Sequence, residues 1–558
     1  MSRQVLHLHT YFLFPFVIER EVVADAHPEH WRAQRTWIDG VDEFVQAESS
    51  AAARTPLVKH LGPWRRVSYG QFDQDSPAYQ DMVFFHPFVR RVFFDVKAGC
   101  DATGEQETMV RCYEMPLPAA GKVQWTASVP NRRQVTVDVT DLRLFLFANG
   151  VGILSVGVEK FDLPFGEALW VNEMMRKVYP TSGRQRREGR IPHLSRMHLG
   201  NTTLTEETFE GGAIVSFQPP LSKVIRDLLY FLDYGRREYE QIFDERMIVY
   251  SYLAVEPAAE GESYVYSDEL QVMLSRFLYV DRYGDEFRYD PMFMREQMKE
   301  HLYTRWAHEG TYYGFTRYSN VTMSLGVSDR GDHLMLEGAL IHRMFVTRYY
   351  LMAVVALFYR AALLDFTENI ALVSRRLYLD LQSGALTRQN MEIATDLRSD
   401  FLNFSNYWYF TELANKDEEI EHFAQQCRVF RVEELRKEIQ EELEGMNASI
   451  LEFNQSRSTD AVNRLAVLSM IFGAGAVLTG FFGMNFGQEF AALFFTATPG
   501  REWIHYGSVI LVSLIAMGTI GFGVFLVTSN WRDYRSILRG RHARRRAHRW
   551  FSIRSNRG

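Results

Sequence analysis

The chain has 558 residues, enough for several domains at about 100–200 residues each. Hydrophobic residues make up 47% of it and the mean hydropathy is slightly negative, which excludes a protein embedded in a membrane along its whole length. The formal charge of −7 is uneven: from Trp531 onward ten arginines stand against one acid, Asp533, so a tail of about +9 follows a body of about −16, and the two regions suit different neighbours.

In chain order, the N-terminal stretch MSRQVLHLHTYFLFPF has an apolar patch interrupted by His7 and His9 and closed by Pro15, a poor match to a signal peptide. His7 and His9, like His27 and His30, have no partners of a structural zinc site nearby in sequence, and surface or core roles are expected for them. Cys100, Cys112 and Cys427 form no spaced cluster, which fits a reducing compartment and argues against a disulfide framework or a zinc finger. Gln134–Glu159 alternates apolar and polar residues around Asn149-Gly150, a strong hairpin signal. Phe165–Tyr179 has helical spacing, and a second strand-rich stretch runs from Ile248 to Leu325. An α/β domain is therefore expected over residues 1–332, with subregions of about 1–215 and 216–332.

From about His333 the pattern turns helical, over Leu336–Gln382, Gln389–Phe404 and from Asp417 onward. Within the first of these, Tyr349–Tyr359 lies between Arg348 and Arg360, too short a run to cross a bilayer, and a buried helix is expected there. Val432, Leu435, Ile439, Leu443, Met446, Ile450 and Phe453 recur every three or four residues, one apolar seam on an acidic helix. No proline interrupts Glu418–Phe482. A nearly continuous helix on the order of 95 Å is expected, at about 1.5 Å per residue, with the helical region and its stalk occupying 333–464.

Leu465–Phe482 and Tyr506–Asn530 are free of charge for 18 and 25 residues, against the roughly 20 that a bilayer core requires. Trp503, Tyr506 and Trp531 sit at the ends of the second run, where interfacial aromatics belong. The arginine-rich tail places the C-terminus, and with two spans the N-terminus also, in the cytoplasm. A multi-pass protein of the cytoplasmic (inner) membrane is expected. Neither run contains Asp, Glu, Lys or His, so there is no ionisable relay for proton-coupled pumping and passive conduction is favoured. No phosphate-binding glycine loop followed by Lys-Ser/Thr is present, and no nucleophile–base spacing stands out, so an enzyme is not expected.

Between the runs stands Gly483-Met484-Asn485, preceded by Gly480 and Phe481-Phe482 and followed by Phe486. With the stalk, the second run and the basic tail, this layout resembles the CorA family of divalent-cation channels over roughly Asp417 to Arg549. The resemblance implies an α/β cytosolic domain, a long stalk helix and two C-terminal transmembrane helices in a funnel-shaped homopentamer. Residues 465–485 would form the pore-lining first span, 486–505 an extracytoplasmic loop, 506–530 an outer second span and 531–558 a cytoplasmic tail.

Mg²⁺ gives up its waters reluctantly. A ring of Asn485 carboxamides would accept hydrogen bonds from that hydration shell, with Gly483 permitting the turn and Met484 packing it. The family pattern carries the pore face to Gly480, Ala476, Gly473, Ser469, Leu465 and Val462. Gly473 stands where a bulky residue often narrows the pore, and Ala474 near the usual proline. The constriction is therefore expected at Leu465 and Val462, apolar rings that gate by dewetting. Only Glu489 and Glu502 in the loop attract cations, which leaves Mg²⁺ against Zn²⁺ (or Co²⁺/Ni²⁺) open.

Arg539, Arg541, Arg544, Arg545, Arg546 and Arg549 would form a basic collar at the pore mouth or bind anionic headgroups, and no nucleic-acid role is expected. Asp417, Glu418, Glu419, Glu421 and the acids from Glu433 to Glu444 read as a solvated helix face; the sharper expectation is that some bind regulatory Mg²⁺ at subunit interfaces. The expected partners are further copies of the chain, membrane lipids and divalent cations, with no cofactor beyond Mg²⁺ as transported and regulatory ion. A non-conducting membrane-anchored sensor or scaffold is the alternative from another class.

Overall fold

The computed structural model describes residues 3–18, 45, 55–67, 83–94, 109–129, 133–179, 189–208, 220–243, 245–256, 267–281, 288–325, 336–383, 386–483 and eleven helical positions between 503 and 521. The chain divides into two compact units, residues 1–369 with 399–440 and residues 370–398 with 441–558.

Among the described residues, the first unit is built on a mixed sheet of thirteen strands. They are β1 Gln4–Ile18, β2 Arg65–Arg66, β3 Val110–Glu114, β4 Val123–Val129, β5 Arg133–Phe147, β6 Val151–Pro164, β7 Leu194–Leu199, β8 Thr202–Thr208, β9 Tyr239–Gln241, β10 Ile248–Val255, β11 Leu302–Tyr303, β12 Thr311–Phe315 and β13 Ser319–Leu325. The order is β11-β12-β13-β10-β1-β6-β5-β4-β7-β8, with β3 also on β5, β2 on β3 and β9 on β1. All pairs are antiparallel except β10–β13. That parallel pair is bridged by a segment that includes helix α2 (Asp268–Leu278), as a parallel crossover demands. Ser267 Oγ caps α2 by accepting from the Leu270 amide at 3.2 Å.

β1 lies at the middle of the sheet and is buried along nearly its whole length. Strand side chains alternate between faces. Leu8, Thr10 and Phe12 face helix α1 (Phe165–Met175), where Thr10 Oγ1 donates to Asn172 Oδ1 at 2.8 Å. His7, His9 and Tyr11 face the other way, towards helices α3 (Leu336–Val346) and α4 (Arg348–Ser383), and Tyr11 meets the Tyr350 ring at 4.5 Å. Further along α4, Phe358 stacks on Phe147 of β5 at 4.1 Å. Tyr349–Tyr359 is thus the buried core helix expected from its length. Leu340–Ser383 is long and apolar enough to cross a bilayer, yet 72% of its apolar window is buried inside the protein.

The β5–β6 turn forms at Asn149-Gly150 as expected. Gly150 takes φ +97°, a left-handed value that glycine adopts without a Cβ clash, and its amide donates to Phe147 O at 3.0 Å. Further down this hairpin β5 carries a bulge: Val139 pairs Val158 and Asp141 pairs Gly157, which leaves Thr140 as the extra residue.

The expected continuous stalk helix is interrupted. Helix α6 (Asp417–Val429) ends, Arg431 takes φ +55°, and helix α7 (Val432–Gly483) begins. The cause is burial. Phe430 and Val432 are both inside, at 2% and 0% exposure, whereas two positions on one helix would point about 200° apart. The left-handed residue turns both inward, and Arg360 Nη1 donates to the Phe430 carbonyl at 2.7 Å. In the second unit, Asp380 near the end of α4 ties down helix α5 (Arg388–Asn403). One of its carboxylate oxygens accepts from the Thr387 amide, the Thr387 hydroxyl and Asn390 Nδ2, each at 2.8 Å.

Candidate functional site

The sequence-predicted pore face lies on α7. At 3.6 residues per turn, Val462, Leu465, Ser469, Gly473, Ala476, Gly480 and Gly483 fall within about 80° of arc, one stripe along the helix. Val462 and Leu465 are open in the single chain, Leu465 at 66% exposure. So are Leu468, Met470 and Phe472 on its other sides, Phe472 at 74%. Downstream, Trp503, Tyr506, Ile510, Leu511, Leu514 and Met517 are likewise exposed helical positions. Apolar residues exposed all round a helix require cover from lipid or other chains, because water around them carries a free-energy cost. Gly483 is the last residue of α7. Met484, Asn485, Glu489, Glu502 and the arginines Arg539, Arg541, Arg544, Arg545, Arg546 and Arg549 lie outside the described residues.

The apolar seam of the stalk is present, with Val432, Ile439 and Leu443 buried. The carboxylates around it are less of a solvated face than the sequence suggested. Asp417, Glu418 and Glu419 occupy the first turn of α6, where carboxylates complement the helix dipole. Tyr349 Oη donates to Glu418 Oε1 at 2.8 Å. Glu419 is buried beside Arg348, 3.7 Å away; desolvation, and after it the neighbouring Glu418 charge, push its carboxyl pKa up. Glu421 accepts from Tyr303 Oη at 2.5 Å and from Arg305 at 3.0 Å, and the tyrosine hydrogen bond leads in holding its pKa down. Glu433 pairs Arg436 at 2.9 Å and accepts from Tyr409 Oη at 3.2 Å. Glu441 and Glu442 remain exposed. Next to Glu421, His422 is enclosed by Tyr349, Tyr313 and Phe315, and burial pushes its pKa down to about 3.

Residues 409–528 match the family model described as CorA-like Mg²⁺ transporter protein. The chain carries a CorA-like domain. It takes in α6, the turn at Arg431, all of α7, the Gly483-Met484-Asn485 motif and all but the last two residues of the second apolar run, and leaves out the sheet. CorA-like proteins are membrane-integral transporters of divalent cations rather than enzymes. Neither the comparison with curated proteins nor that with solved structures returned a match.

Outside the CorA-like domain, sequence reasoning missed a constellation in the first unit. His7 and His9, without sequence neighbours to complete a site, meet His342 on α3 and Glu159 on β6. Three hundred and thirty-three positions separate His9 from His342, so spacing carries no signal for that pairing. The bulge at Thr140 did leave a trace. Val135, Val137 and Val139 alternate in one phase and Leu142, Leu144 and Leu146 in the other, with the polar doublet Thr140-Asp141 at the slip.

Proposed function

We propose that the chain is a divalent-cation channel that passes Mg²⁺ into the cytoplasm as a homopentamer of the cytoplasmic membrane. The observation that carries the reading is the family match over residues 409–528, which takes in the helix that ends at Gly483 and the Gly483-Met484-Asn485 sequence motif. Residues 465–485 form the first span and line the pore, 506–530 form the second, and 531–558 return to the cytoplasm. Supporting this, the helix positions before the motif expose apolar side chains all round, a surface suited to lipid outside and sister helices inside.

Asn485 side chains ring the outer mouth and accept hydrogen bonds from the water shell of the ion. Selection by neutral oxygens fits an ion that keeps several of its waters. Val462 and Leu465 form the narrowest apolar rings, which exclude water until the helices part. The membrane potential drives entry: at about 2.3 kcal/mol per charge per 100 mV, a divalent ion gains roughly 4.6 kcal/mol. Arg539, Arg541, Arg544, Arg545, Arg546 and Arg549 sit at the inner headgroup level. There each basic residue contributes about 1 kcal/mol of attraction to anionic lipid and repels cations near the exit.

The test is flux into proteoliposomes that hold an ion-sensitive dye under an inside-negative potential. The reading expects Mg²⁺ influx without ATP, rising with the potential. Zn²⁺ influx without Mg²⁺ influx reassigns the ion, and absence of any divalent flux returns the protein to the scaffold class.

A further inference from the structure

His7 and His9 stand two residues apart on β1 and so share one face of the sheet. α3 lies over that face. Its Phe345 ring stacks on Tyr250 at 4.3 Å and 1°, and the Phe345 carbonyl accepts from Tyr250 Oη at 2.7 Å. That anchor sets His342, one turn earlier, against both strand histidines, with ring centroids 4.6 Å from His7 and 5.2 Å from His9. One nitrogen from each ring lies within 4.8 Å of the other two. His9 Nδ1 and His342 Nε2 are 3.0 Å apart. Nitrogens bound to one tetrahedral ion at about 2.0–2.1 Å would sit about 3.3 Å from one another.

Both strand histidines also have a polar neighbour outside the triad. Glu159 Oε1 lies 2.7 Å from His7 Nε2, and Thr140 Oγ1 lies 3.3 Å from His9 Nε2. A carboxylate or hydroxyl behind a ligating imidazole fixes its tautomer and raises its basicity. Thr140 reaches His9 because it is the bulged residue of β5. A hydrogen bond between His9 and His342 accounts for two rings. It does not account for the convergence of a third, nor for a polar neighbour beside both strand histidines.

We propose that His7, His9 and His342 form a binding site for a divalent transition-metal ion of the Zn²⁺ class. The ion is held by three imidazole nitrogens, with water in the fourth position on the half-buried His342 side. Imidazole ligands favour Zn²⁺, Co²⁺, Ni²⁺ or Cu²⁺ over Mg²⁺, which requires oxygen. The site is therefore chemically distinct from the proposed permeation path and does not depend on it.

The test uses the full-length protein in detergent, stripped with a chelator and titrated with Co²⁺, whose four-coordinate complexes absorb strongly in the visible. The proposal expects one such Co²⁺ per chain, displaced by stoichiometric Zn²⁺ and untouched by excess Mg²⁺. His342→Gln should lose the absorption, with affinity at least about 100-fold weaker. Glu159→Gln should bind about 10–100-fold more weakly. His308→Gln, at an exposed histidine elsewhere, should match wild type. Circular dichroism establishes that each variant is folded; if His9→Asn is not, His342→Gln decides. A folded wild type without four-coordinate Co²⁺, or a band that survives intact in His342→Gln, overturns the site. Co²⁺ held through its waters by carboxamide oxygens stays octahedral and pale, so loss of ion flux and loss of this site are separate readouts.

Discussion

Gly157→Ala is the sharpest test of how the central hairpin is built. Gly157 faces Tyr11 on β1 and Asp141 across the bulge on β5. A Cβ there would lie 2.6 Å from Thr140 Oγ1, 2.8 Å from Asp141 Oδ2 and 3.0 Å from Tyr11 Cε1, all shorter than the ordinary contact range of 3.4–4 Å. Little can give way. Threonine is stiff at χ1, and Asp141 is held by Arg143 at 3.5 Å. Adding a methyl to a packed interior in this way costs about 1–3 kcal/mol. The assay is chemical denaturation of the purified protein, with the midpoint shifted and the slope unchanged. Thr140→Ala removes the tightest of the three contacts and leaves the other two. The double variant should therefore recover about half of the loss, a coupling of about 0.5–1.5 kcal/mol. A Gly157→Ala midpoint equal to wild type, or strict additivity of the two substitutions, would refute this packing.

Two further outcomes follow from the buried histidine and from the proposed constriction. His422 is neutral in the fold, with its pKa down at about 3, and takes up a proton near pH 6.5 when unfolded. Its contribution is therefore complete above pH 6.5 and is lost as the pH falls towards 3, by up to about 1.4 kcal/mol per pH unit. Denaturation midpoints near pH 5 and near pH 7 should differ less in His422→Phe than in wild type, and equal differences would contradict the assignment. If Leu465 forms a dewetting ring, Leu465→Ser should raise divalent influx several-fold in proteoliposomes; an unchanged rate would move the constriction elsewhere.

What the sequence made legible was local. Asn149-Gly150 set the hairpin because turn chemistry is written in adjacent residues, and Tyr349–Tyr359 was read as core because its length falls short of a bilayer. β1 was harder. A strand buried on both faces loses the apolar–polar alternation that marks half-buried strands: Tyr11 through Phe16 is an unbroken apolar run, and the polar His9 and Thr10 before it are buried too. The break at Arg431 had no sequence signal, since neither Gly nor Pro stands there and the turn is enforced by burial of Phe430 and Val432 on either side. The Thr140 bulge lies within Gln134–Glu159, which was read as one alternating stretch, so its phase slip in the valine–leucine alternation was passed over. The histidine cluster was not read: only surface or core roles were expected of His7 and His9, and His342 reaches them only through the packing of α3 on the sheet.

The most direct test of the channel reading is Mg²⁺ influx through Asn485→Ala reconstituted beside wild type, with subunit stoichiometry measured on the same samples. The proposal predicts a pentamer in both, with Mg²⁺ influx or its preference over other divalent ions lost by tenfold or more in the variant. A variant that conducts Mg²⁺ at the wild-type rate and selectivity would contradict it.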